Sequence, residues 1–246
     1  MHISITAETL FSIFAFPVTN SMIVSWAVIG VFVVLSFFVT RNIQSIPRGI
    51  QNCMEMVIEF ILGMMDSVTG NREETKRFFP LIATIFLFVI AVNWAGLLPG
   101  TGTIGLKEIK EGHEKLIPFI RSSSADLNFT VALALISFAT IHITGIISIG
   151  FFKYASRYVT FKNPLDFFVG ILELVSELSK LISFSFRLFG NIFAGEVLLT
   201  VMLFLVPYVV PLPFMALEIF VGFIQALVFA MLTLVFVKIA TVDTHH

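Results

Sequence analysis

Arg187 stands in SFSFRLFGNIFAGE (183–196), an apolar stretch with no other charge before Glu196. A permanent cation in such surroundings costs about 2.5–3.5 kcal/mol or more, so its presence asks for a task. Arginine keeps its proton at any physiological pH and therefore cannot pass one on. It can force a nearby carboxylic acid to ionise. An acid arriving opposite Arg187 would lose its proton, and the same acid moving away into lipid would have to regain one. That asymmetry is the chemistry of a proton-driven machine.

The neighbours of Arg187 suit a sliding contact. At about 100° per residue, Ser176, Ser179, Ser183, Gly190, Asn191 and Ala194 all fall within about 80° of it, a stripe of small and polar residues that another helix could approach closely. Lys180 shares that face, and two cations on one face argue against lipid contact. Glu196 lies about 180° around the helix, so an Arg187–Glu196 ion pair within the helix has poor geometry. Further on, Glu218 and Gln225 share a helix face with Gly222 between them. Paired polar groups on one face of a membrane helix mark an ion or proton path.

The elements that carry these residues are membrane helices. The 246 residues are 57% hydrophobic and 13% charged, with mean hydropathy +0.99, about half the usual charged share of a soluble domain. The net charge of -1 does not favour a nucleic-acid partner, and the single Cys53 excludes an intrachain disulfide framework or a thiolate metal cluster. Residues 21–40, 78–98 and 127–152 each supply the roughly 20 apolar residues that a transmembrane helix needs. Residues 50–68 are interrupted by Glu55, Glu59 and Asp66 but keep helical apolar spacing, which predicts a helix lying in the interface. Asn163, Pro164 and Asp166 read as a helix start, and nothing stops that helix before Pro207, Pro211 and Pro213. One helix over 164–206 would be roughly 65 Å long and must tilt strongly or break. A second long helix over 213–240 returns beside it. The expected fold is an all-α polytopic membrane protein forming a single membrane domain: an N-terminal span, an interfacial amphipathic helix, a two-helix hairpin, and a C-terminal hairpin of two long tilted helices.

Loop charges set the orientation. Arg41 and Arg48 precede the interfacial helix and Arg72, Lys76 and Arg77 follow it, so both flanks belong inside. The loop at 101–126 balances its acids and bases and belongs outside, while Lys153, Arg157 and Lys162 return inside. The N-terminus is then outside and the C-terminus inside. With Glu8 and no Lys or Arg, the first 20 residues do not read as a cleaved signal.

These residues resemble the "a" subunit family of the membrane sector of rotary ATP synthases. SFSFRLFGNIFAGE is similar to the signature around that family's essential arginine, IQALVFAMLT to its last helix, and NWAGLLPG and SSSADLNFTVALAL to its middle helices. The resemblance runs from about residue 45 onward. It implies a proton-translocating stator subunit with two half-channels, not catalytic by itself and without cofactor or metal. Its implied partners are the c-subunit ring facing Arg187, the peripheral-stalk b subunits, the rest of the complex and the lipid bilayer. Asn191, Glu196, Glu218 and Gln225 would line the half-channels, with Ser183 and Lys180 on the path and Asp126 near the outer inlet. Where many members have proline this chain has Leu181, and where some bacterial members have histidine it has Glu218. The implied location is the cell (inner) membrane of a bacterium or, alternatively, an organelle's inner membrane; no transit peptide is read.

Plainer roles stand beside these. Asp126 could serve only as the N-cap of the helix beginning at Leu127. Glu196 and Glu218 could pair with Lys180 or Lys238, Lys180 could be a solvated interface lysine, and His142 fits a hydrogen-bonded core histidine better than a relay. GTGTIG (100–105) has the spacing of a dinucleotide loop but follows a membrane helix rather than a strand, and the glycosylation triplet at Asn128 lies where a membrane helix begins. His245 and His246 are too few for a metal site. A secondary transporter would show an internal repeat of broken helices, and no second RLFGN region exists.

Overall fold

The computed structural model describes residues 7–13, 16–41, 43–98, 105–110, 113–156, 158 and 164–241. The expected cap at Asn163, residues 100–104 of the glycine motif and the terminal histidines lie outside them.

Among the described residues, seven α-helices carry the chain. They are α1 (Asn20–Arg41), α2 (Ile50–Thr69), α3 (Arg72–Ala95), α4 (Leu127–Ile149), α5 (Phe151–Ser156), α6 (Pro164–Leu205) and α7 (Pro211–Thr241). All but α2 and α5 are long and apolar enough to cross a membrane. The protein is a polytopic, all-α membrane protein. Two small antiparallel hairpins accompany the helices, β1 (Thr9–Ile13) with β2 (Phe16–Thr19) and β3 (Gly105–Lys110) with β4 (His113–Pro118). The second replaces much of the expected outer loop, pairing Glu108 opposite Lys115, so that the segment satisfies its own backbone donors and acceptors.

Local chemistry sets the helix ends. Gly70, at φ 67°, closes α2 with its N–H on Asp66 O, and Asn71 caps α3 by accepting from Glu73 N at 3.0 Å. That cap lets α3 begin at Arg72, ahead of its apolar run. Arg72 turns back to pair with Asp66. The Asp66 carboxyl is held below its ordinary range, first by the Thr75 hydroxyl, which outweighs the opposing effect of desolvation, with Arg72 adding to the lowering. Gly150, at φ 91°, ends α4 and turns the chain into α5. Helix α6 runs unbroken through Leu181 for 42 residues, about 63 Å. Pro211 and Pro213 fall in the first turn of α7, where a missing N–H is tolerated.

Helix α7 sits at the centre, packed on α3, α4 and α6. Its Ala226, Phe229, Ala230 and Leu234 are buried against Ile61 and Met65 of α2, Phe86 and Val89 of α3, Leu133 of α4, and Phe184 and Leu188 of α6. Small side chains let these helices approach closely. At one end of the bundle, Lys238 of α7 donates to the carbonyls of Val68 and Thr69 and so holds the end of α2. At the other, Ser21 of α1 donates to Asp126 at 2.8 Å, and Ser25 donates to Ser123, in a 3-10 turn (Ser123–Ala125), at 2.9 Å. That same end carries the close of α3, where Ser122 donates to Val92 O at 3.2 Å.

Candidate functional site

The α6–α7 hairpin carries most of the candidate residues, and its register is set by two contacts. The Glu218 carboxylate lies against Gly195, in the space a β-carbon would fill, and the rings of Phe184 and Phe229 are 5.2 Å apart. The helices run antiparallel. Counting about 1.5 Å per residue from the Gly195–Glu218 contact, Arg187 and Gln225 fall at nearly the same depth, a little over 10 Å from the two acids.

Arg187 is exposed, and its Nη2 donates to Ser183 Oγ at 3.4 Å. Ser176, Ser179, Ser183, Asn191 and Ala194 are exposed with it and Gly190 is half-buried, so the face of small residues stays open along α6. Phe184, Leu188 and Ile192 turn inward, because burying the apolar face rotates the arginine outward.

Lys180 behaves differently. It is part-buried, 2.7 Å from Glu177 Oε1 and 4.7 Å over the Phe236 ring, so its long stem carries the charge off the open stripe toward α7. Around the same point His142 Nδ1 meets Tyr154 Oη at 2.6 Å, and its Nε2 lies 4.0 Å from Glu177 Oε2.

The acids form a second constellation near the end of the bundle that holds Asp126. Glu218 is buried and Glu196 is a third exposed. The Glu218 carboxylate lies against Gly195, the residue before Glu196, which brings the two acids together. Gln225 is half-buried on α7. Between Glu218 and Gln225, Gly222 marks the crossing with α3. There Asn93 donates to Gly222 O at 3.0 Å, and Trp94 Nε1 donates to Ile219 O at 3.1 Å. Asp126 caps α4 by accepting from Asn128 N at 3.0 Å and is buried beneath Ser21. Among the described residues no group of three His, Cys, Asp or Glu side chains could hold a metal ion.

With this geometry in place, the sequence matches the ATP synthase A chain family across residues 22–238, nearly the whole chain and all of the constellation above. The chain belongs to the ATP synthase A chain family. ATP synthase subunit a of Campylobacter jejuni subsp. doylei is 36% identical over 213 residues, covering 85% of this chain and 84% of its own length. ATP synthase subunit a of Trichlorobacter lovleyi is 34% identical over 228 residues, covering 92% and 89%.

One residue of this ATP synthase A chain member escaped the sequence reading. Arg121 is buried, and its Nε lies 3.2 Å and 3.3 Å from the two oxygens of Glu196. Neither Lys180 nor Lys238 takes that acid. The only signal in the sequence is an arginine five residues ahead of the Asp126 cap, in a charge-balanced loop that reads as solvated.

Proposed function

We propose that this chain is the proton-translocating stator subunit of a rotary F-type ATP synthase. The observation that carries the reading is Arg187: a permanent cation, mid-way along a membrane helix, exposed on a stripe of small residues that no described part of the chain covers. Left against lipid it would cost several kcal/mol. Covered by a partner that presents carboxylates, it is stabilised and gains a task.

In this reading the partner is the ring of c subunits. Protons enter from the outer side through a half-channel lined by Asp126, Glu196 and Glu218, with Asn191 and Gln225 leading toward the ring. They leave through a second half-channel past Ser183 and Lys180 toward the other side. Arg187 separates the two, forcing each passing ring carboxylate to ionise and blocking a direct leak, since guanidinium does not relay protons. A charge crossing about 100 mV gains roughly 2.3 kcal/mol, so several protons must pass for each ATP formed elsewhere in the complex. The b subunits of the peripheral stalk would hold the chain still. The membrane is the bacterial cell (inner) membrane, with the N-terminus outside and the C-terminus inside. Arg72, Lys76, Arg77 and Lys238 cluster at one end of the bundle, in keeping with that orientation.

The test is ATP-driven proton pumping in membrane vesicles carrying Arg187→Ala, with assembly of the complex measured on the same sample. Abolished pumping in an assembled complex is expected. Normal pumping would return Arg187 to a structural role and favour a membrane scaffold.

A further inference from the structure

Arg121 reaches the acid pair from a segment that is itself held in place. Ser122 donates to Val92 O, Ser123 donates to Ser21 O at 2.8 Å, and a Cβ on Gly96 would overlap Ser122. The guanidinium Nη2 also reaches Ala125 O at 3.5 Å. The cation is therefore delivered to Glu196 by a rigid outer strap rather than by a mobile surface side chain.

Among the described residues, three elements bring charged groups to the pair. Helix α6 brings Glu196, α7 brings Glu218 against Gly195, and the strap brings Arg121. Helix α3 brings the neutral Asn93 and Trp94, both bonded to the α7 backbone. Asp126, at the start of α4, is occupied by Ser21 and Asn128 N. Among the described residues the Glu218 carboxylate makes no hydrogen bond or ion pair. Two adjacent carboxylates, one paired and one not, are not equivalent.

We propose that Arg121 is a positioning residue of the outer half-channel: it commits Glu196 to a fixed ion pair, so that Glu218 is the carboxylate that takes up and hands on the proton. This rests on the proton-path reading of the site. Two close carboxylates without a cation titrate as one coupled pair, and either can hold the shared proton. Arg121 breaks that symmetry, and guanidinium does not itself exchange a proton. The step is a plain transfer. Glu218 accepts a proton from hydronium on the outer side, leaving water, and passes it to the next acceptor toward the ring, with no other bond made or broken.

The test is ATP synthesis by assembled complex in inverted vesicles, whose lumen meets the outer side, measured against lumenal pH at constant membrane potential. Arg121→Gln should slow synthesis about tenfold and move the lumenal midpoint to higher pH by about one unit or more, because removing an opposite charge at this distance makes a carboxylate harder to ionise. Arg121→Lys keeps the charge and should keep the midpoint even where the rate falls. The double variant Arg121→Gln, Glu196→Gln removes both charges of the pair and should bring the midpoint back to its original position. An unmoved midpoint in Arg121→Gln, or a double variant as displaced as the single one, would overturn the assignment. So would failure of all three variants to assemble. Arg187→Ala in the same vesicles separates the two readings: if it abolishes synthesis while the Arg121→Gln midpoint stays put, only the role of Arg121 fails, whereas normal synthesis in Arg187→Ala sinks the path itself.

Discussion

The carboxylate of Glu218 on α7 occupies the space beside Gly195 on α6 where a side chain would otherwise stand. The glycine is there for close approach: it lets an acid on one long helix lie flush against the backbone of the other, beside Glu196. Gly195→Ala must either expel the carboxylate or part the helices, and overpacking of this kind costs about 1–3 kcal/mol. ATP-driven pumping should fall about tenfold in assembled complex. Adding Glu218→Asp, which shortens the acid, should recover part of the rate. A double variant no better than the single one would place the fault in helix packing rather than at the acid.

Asp126 carries a capping job whatever else it does. Asp126→Ala removes the acceptor of Asn128 N, at about 1 kcal/mol for the cap, and leaves the Ser21 hydroxyl with Thr19 Oγ1, 2.9 Å away, as its remaining side-chain partner. Asp126→Asn keeps a side-chain oxygen in place. Thermal unfolding of the purified complex should be lowered by alanine and largely restored by asparagine. If Asp126 also serves the inlet, the stable asparagine variant still pumps more slowly, and full-rate pumping there would confine the residue to its cap.

Gly145 is where α4 meets two neighbours at once. A Cβ there would run into the Tyr154 ring and come within 3.2 Å of Ala240 O, a backbone atom that cannot swing aside. Gly145→Ala is expected to destabilise the chain by about 1–3 kcal/mol, read as a lower Tm in detergent. Unchanged Tm would mean that the α4–α7 contact is looser than described.

The α2–α3 turn should respond to acid. Asp66 has a folded pKa below its value in the unfolded chain, so its contribution is fully present above the unfolded value of about 3.9 and is lost as pH falls through the lower folded value. Asp66→Asn should be less stable than the parent near neutral pH, with the difference closing at about pH 2. A difference that persisted at low pH would show that the asparagine disturbs the turn for reasons other than charge.

The open stripe around Arg187 was legible because it is a property of one helix: spacing along the chain sets which residues share a face, and burying Phe184 and Leu188 turns that face outward. The all-α membrane fold was legible for the same reason, from long uncharged runs. The contacts between elements were not. Arg121 finds Glu196 across 75 residues of sequence, and the pairing depends on a Ser-rich turn docking on α1 and α3. Lys180 lies on the Arg187 face by angle alone, yet its flexible stem takes the ammonium to Glu177 and Phe236, which angular placement does not capture. The hairpin at 105–118 hides in a segment whose mixed charges read as loop, since strand pairing there is short and local.

Helix α6, at about 63 Å, is roughly twice as long as a hydrocarbon layer is thick. A rod of that length with both ends kept inside a layer of about 30 Å travels some 55 Å sideways while it climbs through the membrane. Laid that way it would be a ramp. A neighbour moving along its face would change depth only by about half an ångström for every ångström of lateral travel, so small residues at successive positions would become successive heights, with Arg187, just past the midpoint of α6, near mid-depth.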